Sequence, residues 1–404
     1  MSSFSSTLLT LLCERGYIHQ ATDAAALDAL ASREIVSGYI GFDATAPSLH
    51  VGSLVQIMML RRLQQAGHRP IVLMGGGTTK VGDPSGKDES RKLLSDADIQ
   101  ANIASIRRVF ERFLTFGDGP SDAILLDNAD WLDGLNYVDM LRTVGPHFTI
   151  NRMLTFDSVR LRLDREQPLT FLEFNYMILQ AYDFLELSRR AKCRLQLGGS
   201  DQWGNIINGI ELGRRIDGAE LYGVTTPLVT TADGAKMGKT AAGAVWLNAD
   251  LLGPYDYWQY WRNTADADVA RFMRLFTDLP LERIEELGKL EGQAINDAKI
   301  ELANAATAML HGEEAAASAA ATARDAFAGG GGEDLPTLAT DGAINIVAAL
   351  TGLGFAASNG EARRKISEGA VRIDGVPVTD AAIMIEAPVM ISFGKKKHGL
   401  LILP

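Results

Sequence analysis

The sequence predicts an α/β protein: a doubly wound, parallel sheet, then a helical region, then a small α+β domain. Three observations predict it. Over the first 240 residues short apolar runs alternate with amphipathic ones, the pattern of parallel strands joined by crossover helices. From about 254 to 328 the strand-like runs stop and the pattern turns helical, ending in the alanine-rich EEAAASAAATARDAFA. GGGGEDLP at 329–336 then separates a last, compact stretch from the rest.

Each element has a local reason. SGYIGFDA reads as a strand, followed by a helix from about Ser48 to Ala66, with Pro47 and Ser48 suited to its start. RPIVLMGGG and AILLDNA read as two further strands. The helix TFLEFNYMILQAYDFLEL opens on a capping box of Thr170 and Glu173. LQLGGSDQWGN gives a strand, a Gly-Gly turn and a helix start at Asp201 and Gln202. TTADGAKMGKT gives a turn at Asp233-Gly234 and then a glycine-containing loop. These signals divide the chain into 1–240, a helical 241–328, a glycine-rich linker 329–340 and a terminal domain 341–404. In the last, Ser358 and Glu361 form a capping box for EARRKISEG, which ends at Gly369.

Composition narrows the classes. The chain has 404 residues, 47% hydrophobic and 22% charged, as an ordinary globular protein of several domains does. No apolar run reaches the roughly 18 to 20 residues of a membrane span, and no basic residue precedes the short apolar stretch near the N-terminus, so a secretory signal is not expected. Two cysteines, Cys13 and Cys193, make no disulfide framework, and six scattered histidines show no ligand spacing. The expectation is a cytoplasmic protein with reduced thiols and no zinc. The net charge of −11 argues against a nucleic-acid partner until its distribution is seen. Residues 341–404 hold seven Lys+Arg against six Asp+Glu, and the first 340 residues hold 32 against 44. A local basic surface binds phosphate even on an acidic molecule.

Candidate residues cluster after strands and at helix starts, where doubly wound sheets bind ligands. In APSLHVGS, His50 stands in or beside a first helical turn whose free N–H groups favour an anion, and Gly52 lets a ligand approach the backbone. A histidine satisfied inside the core fits the same fragment. Asp43 and Thr45 follow the preceding strand. GGGTTKVGDPSGKDESR carries Lys87 and Arg91 on a glycine-rich loop without P-loop spacing. Tyr176, Gln180 and Asp183 share one face of a helix otherwise apolar. Buried polar groups left unpaired cost about 1–3 kcal/mol each, so that stripe lines either an internal hydrogen-bond network or a pocket for a small polar-tipped ligand. Lys236 and Lys239 flank Gly238 on a loop suited to polyphosphate.

Taken in order, HVGS at 50–53, GDPSG at 82–86, YMILQAYD at 176–183, GGSDQWGN at 198–205 and KMGKT at 236–240 resemble the bacterial-type tyrosyl-tRNA synthetases. The first and last correspond to the HIGH and KMSKS signatures of class I aminoacyl-tRNA synthetases. The resemblance extends over essentially the full chain. It implies a Rossmann-like catalytic domain at 1–240, a helical tRNA-contacting domain at 241–328 and, at 341–404, an RNA-binding domain resembling ribosomal small-subunit protein four. It implies that Tyr39 and Asp183 grip the tyrosine phenol, and that Asp83, Tyr176, Gln180 and Gln202 surround the rest of the amino acid. Gly41, Asp43, Thr45, His50, Gly199 and Asp201 then surround ATP. Lys236, Lys239 and Thr240 hold pyrophosphate, with Lys87 and Arg91 on a second loop of similar task.

Ser53 departs from the family, which usually has histidine or another nitrogen donor there; serine keeps a hydroxyl but reaches less far. The basic residues implied to meet tRNA are Arg214 and Arg215 in the body and Arg363, Arg364, Lys365, Arg372, Lys395, Lys396 and Lys397 in the tail. The implied substrates are L-tyrosine, ATP with Mg²⁺, and tRNA(Tyr), with no tightly bound prosthetic group, and the implied assembly is a homodimer. A tryptophanyl enzyme shares the fold, but Tyr39, Asp183, GGSDQW and the basic tail favour tyrosine. A small-molecule nucleotidyltransferase would not need the tail. A synthetase-derived RNA-binding or splicing protein would be free to lose His50 and the loop lysines, which are kept.

Overall fold

A computed structural model describes residues 4–83, 94–232, 234, 237–240, 243–328, 336–340, 342–373, 376–394 and 397–402. The GDPSG turn beyond Asp83, Lys87, Arg91, Lys236, Lys395, Lys396 and linker residues 329–335 lie outside the described residues. By compactness the chain forms two units, Met1–Gly253 with Asn263–Leu302, and Pro254–Arg262 with Ala303–Pro404.

The first unit is built on a six-stranded sheet of β1 (Gln20–Ala21), β2 (Ser37–Phe42), β3 (Arg69–Met74), β4 (Ile124–Asp127), β5 (Cys193–Gly199) and β6 (Tyr222–Thr226). Their order is β1-β6-β5-β2-β3-β4. Only β1 runs antiparallel to its neighbour. From β2 the chain moves outward to β3 and β4, then returns to the other side of β2 with β5. The switch point therefore falls between the carboxyl ends of β2 and β5, the place where such sheets take ligands. Strands buried on both faces read as unbroken apolar runs, and Ile71, Val72, Leu73 and Met74 of β3 are all buried.

The expected helix after β2 starts later than its caps suggest. His50 caps a short 3₁₀ turn, Val51–Ser53, and the α-helix runs Leu54–Gln65. Ser48 does not cap it: its hydroxyl accepts from the Asn248 N–H at 3.1 Å. That partner, 200 residues away, is invisible to local reading. The helix Phe171–Ala191 has the expected capping box, with both Thr170 and Glu173 bonds formed. Its apolar first turn, however, is open: Phe171 is 69% exposed.

In the second unit the helices Pro254–Arg262 and Glu313–Ala328 precede a five-stranded sheet, ordered Val376–Val378, Val371–Ile373, Val389–Phe393, Lys397–Ile402, Thr337–Ala339. The last of these lies inside the stretch expected as linker, because it pairs in parallel with Lys397–Ile402. Two helices, Ile346–Gly352 and Asn359–Ser367, share the core of Leu350, Ile366, Val371, Ile391 and Leu401. The capping box at Ser358 is half formed. Ser358 accepts from Glu361 N–H, but the Glu361 carboxylate takes the Ala357 N–H instead.

Candidate active site at the switch point of the sheet

At the centre of the sheet, Tyr39 on β2 is 1% exposed, and its ring packs edge-on against Phe184 with centroids 5.2 Å apart. Its hydroxyl is buried and has no hydrogen-bond partner among the described residues. Burial, with the Asp183 carboxylate nearby, holds its pKa well above the ordinary 10.

Asp183, on the long helix Phe171–Ala191, is 2% exposed. Asn128 Nδ2 donates to its Oδ2 at 2.9 Å and Trp131 Nε1 to its Oδ1 at 2.8 Å. Burial nevertheless pushes the carboxyl up to about 7, the two donors opposing it and Asp43 and Asp127 adding to it. The network continues outward. Asn128 donates to Thr78 Oγ1 at 3.0 Å, Thr78 donates to Asp43 at 3.3 Å, and the Tyr176 hydroxyl lies 3.5 Å from the same Asp43 oxygen. Gln180 donates to Gln202 at 3.4 Å, and Gln202 Nε2 lies 3.3 Å from Asp83 and from Asp201.

The polar stripe of Tyr176, Gln180 and Asp183 is thus spread over two hydrogen-bonded sets, one joining Asp183 to Tyr176 through Asn128, Thr78 and Asp43, the other joining Gln180 to Gln202. It also keeps acceptors to spare, since the Gln180 Oε1 is buried and unpaired. The first set holds Asp43, Tyr176 and Asp183, with the partnerless Tyr39 close to Asp183, and the second holds Asp83, Gln180, Asp201 and Gln202. The first also contains three residues the sequence reading did not single out, Thr78, Asn128 and Trp131. For Asn128 and Trp131 a signal was available: NADW follows β4 as Asp43 and Asp201 follow β2 and β5.

On the other side of the switch point, the His50 Nδ1 accepts from the Gly52 N–H at 2.9 Å. The neutral ring therefore carries its proton on Nε2. His50 pairs with Trp246 in an antiparallel bridge, flanked by Val51 N–H to Val245 O at 2.9 Å and Leu247 N–H to Leu49 O at 2.9 Å. Those bonds bring the chain just after the lysine loop onto the histidine turn. Gly238 takes φ +103°, and a Cβ there would stand 2.5 Å from the His50 ring, so only glycine fits. A Cβ on Gly52 would likewise meet the Met237 carbonyl at 2.7 Å. Lys239–Thr240 form a short strand with Gly243–Ala244. Above β2, Gly41 faces open space, and Thr45 is exposed. Gly199 ends β5 beside Asp201.

Not every expected cation stands unpaired. Arg214 and Arg215 both bridge to Glu211, and Arg215 also donates to the His147 carbonyl. In the tail Arg364 and Lys365 face Glu368; Arg363, Arg364 and Arg372 are exposed. Lys397 is turned inward, since its ammonium donates to the Phe355 carbonyl at 3.2 Å and lies within 6.0 Å of the Phe355 and Phe393 rings. An ammonium held over two aromatic faces has partners within its own domain.

A doubly wound sheet with a histidine turn at its switch point, and the loop of Met237 and Gly238 folded against that turn, is the arrangement expected of a class I aminoacyl-tRNA synthetase. The comparisons carry this to the family. Residues 32–328 match the model for tRNA synthetases class I (W and Y), and 328–400 match the tyrosine–tRNA ligase SYY-like C-terminal domain. The tyrosine–tRNA ligase of Novosphingobium aromaticivorans is 67% identical over 99% of both chains, and that of Zymomonas mobilis 64% identical over 99% of both. A solved C-terminally truncated mitochondrial tyrosyl-tRNA synthetase from Coccidioides posadasii superposes with a TM-score of 0.67 at 33% identity, covering 78% of this chain and 91% of that one. The chain belongs to the class I tRNA synthetases for tryptophan and tyrosine, and ATP is a substrate of that family's reaction. No described helix is long and apolar enough to cross a membrane.

Proposed function

We propose that this chain activates L-tyrosine with ATP to tyrosyl-adenylate and pyrophosphate, then transfers the tyrosyl group to the 3′ end of tRNA(Tyr). The observation that carries the choice of tyrosine is the buried, partnerless Tyr39 hydroxyl beside Asp183. A phenol there accepts from Tyr39 and donates to Asp183, satisfying both. Phenylalanine leaves the Tyr39 hydroxyl unmet, at a cost of about 1–3 kcal/mol, and leaves Asp183 with its two protein donors alone. An indole offers one donor and no acceptor, so it leaves Tyr39 unmet as well.

The chemistry needs no general base, because the tyrosine carboxylate is already a nucleophile for in-line attack on the α-phosphate. What the site supplies is position and charge stabilisation. Asp83, Tyr176, Gln180 and Gln202 hold the amino acid; Gly41, Asp43, Thr45, Gly199 and Asp201 surround the nucleotide. The His50 Nε2–H points a donor at the phosphates, and Lys236, Lys239, Thr240, Lys87 and Arg91 carry the leaving pyrophosphate. Among the described residues no cluster of three or more His, Cys, Asp or Glu is placed to hold a metal. Mg²⁺ accompanies the ATP phosphates, as part of that substrate.

The helical 241–328 and the basic tail take the tRNA, with Arg363 and Arg372 among the exposed contacts. Two copies pair through apolar side chains left open in the first unit, among them Tyr137, Ile150 and Phe171. The setting is the cytoplasm. ATP–pyrophosphate exchange measured with tyrosine, with tryptophan and with no amino acid tests the reading: exchange depends on tyrosine alone. Asp183→Ala is expected to lose most of the preference for tyrosine over phenylalanine. Unchanged selectivity would remove Asp183 from the phenol site.

A further inference from the structure

We propose that Asp268 and Arg271 are positioning residues for the lysine loop, stapling its first limb to the helix Val269–Phe276 and so fixing where Lys236 and Lys239 meet the leaving phosphates. The proposal rests on the assignment of those lysines to pyrophosphate made above.

Asp268 is 3% exposed. Its Oδ2 accepts from the Ala232 N–H at 2.6 Å, and its Oδ1 from Arg271 at 2.6 Å. The same guanidinium donates to the Thr230 carbonyl. Two bonds thus grip the backbone on either side of Thr231, just before the loop turns. The turn closes on itself through Gly234 N–H to Thr231 O at 2.8 Å and Met237 N–H to Val229 O at 3.2 Å. Beyond it, Met237 and Gly238 lie against His50 and Gly52, as described. One end of the loop is therefore set by the histidine turn, the other by a single buried carboxylate and its arginine.

The position of Asp268 makes this more than helix capping. It precedes Val269, where an aspartate ordinarily accepts from its own helix's first N–H groups. Here it makes no such bond, and both oxygens are turned to the loop and to Arg271. The helix, for its part, is held at the other end by the histidine side of the site. A helix's last carbonyls lack partners within the helix. Those of Arg274 and Leu275, with Thr277 just beyond, receive Arg15, Tyr17 and Arg62. Arg62 belongs to the helix Leu54–Gln65 that follows His50, and it also pairs with Asp278. The helix Val269–Phe276 is thus a strut between the two motifs, and Asp268 with Arg271 is its grip on the lysine-loop side of the chemistry.

The test uses Asp268→Ala, Asp268→Asn and Arg271→Ala in the full chain, with Lys239→Ala alongside. Single-turnover adenylate formation, pyrophosphorolysis and tyrosine affinity are measured for each. Asp268→Ala is expected to slow both phosphate steps by roughly ten- to a hundred-fold, the range for lost hydrogen bonds to a charged group, with tyrosine affinity within about twofold of the parent. Asp268→Asn is expected to lose less, since its carbonyl oxygen still accepts from Ala232. Arg271 is 44% exposed in its side chain, so its removal leaves the fold intact and decides the matter alone if Asp268→Ala does not fold. The double variant is expected to lose no more than Asp268→Ala, because both groups act through Thr230–Ala232. Full rates in both single variants, additive losses, or a parallel loss of tyrosine affinity overturn the staple. If Lys239→Ala also keeps full rates, it is the phosphate assignment that has failed.

Discussion

The two sides of the switch point are built differently. On the proposed phenol side the groups are side chains, Asp183 tied to Asn128 and Trp131, Asn128 to Thr78, Thr78 to Asp43, with the Tyr39 hydroxyl buried and partnerless beside them. On the phosphate side the described structure is mostly backbone, a histidine-capped turn with glycines at the close approaches and a loop laid against it. Choosing an amino acid requires polar atoms that cannot move or be rehydrated, because an unmet partner must stay unmet. Stabilising a departing pyrophosphate requires cations that come to the charge and leave with it. Rigidity serves the first task and would hinder the second.

The largest expected effect separates these tasks. If His50 donates to the phosphates as proposed, His50→Ala is expected to slow adenylate formation by about 10²–10³-fold, as loss of one preorganised donor does. Tyrosine affinity is expected to stay near that of the parent. Equilibrium binding of tyrosine alongside single-turnover kinetics makes the comparison, and a joint fall would mean that the two sides are one structural unit.

The next effect concerns the energy stored on the phenol side. The Asp183 carboxyl sits at about 7 rather than its ordinary 3.8, mainly through burial. A carboxyl raised in the folded state binds its proton more tightly there than in the unfolded chain. Its stabilising contribution is whole below the ordinary value and is lost as pH rises toward 7. Asp183→Asn removes that loss, and its stability advantage is expected to grow from pH 5 to pH 8, reaching on the order of 2 kcal/mol. Urea unfolding at the two pH values measures it. The same variant is expected to bind tyrosine more weakly, and tyrosine bound by the parent is expected to weaken below about pH 7 as Asp183 takes up its proton. An advantage that does not vary with pH would place the shift elsewhere.

A smaller effect tests the tail against the body. Replacing Arg363 and Arg372 together by alanine is expected to weaken tRNA binding several-fold and flatten its salt dependence by about two phosphate contacts, with pyrophosphate exchange unchanged. Removing Lys397 in the same assay is expected to disturb the packing of Phe355 and Phe393 instead of the salt slope.

The strands, the capping box at Thr170 and the switch-point residues were legible because each rests on local pattern: apolar runs, a four-residue box, polar residues just past a strand. What was not legible depends on partners far along the chain. Ser48 looks like a cap but serves Asn248, and Lys397 looks like a surface cation but is held by Phe355, 42 residues earlier. Asn128 and Trp131 carried the right local signal, yet their importance appears only once β4 is seen to end beside Asp183. Asp268 carried no motif at all, since its partners come from a loop 36 residues upstream.

The smallest expected effect lies at the one changed member of the histidine signature. Ser53 stands at the N-cap position of the helix Leu54–Gln65, yet its hydroxyl makes no cap bond, and its N–H donates to the His50 carbonyl at 2.8 Å. Losing a capping serine ordinarily costs about 0.5–2 kcal/mol; without that bond Ser53→Ala should cost less. Our hypothesis is that the hydroxyl meets the ribose through a water, which predicts a loss in adenylate formation of no more than a few-fold, read in KM for ATP with kcat kept. A direct ligand contact would instead give a loss comparable with that of His50→Ala. It would put a fixed, specificity-type group on the phosphate side and break the contrast between the two halves of the site.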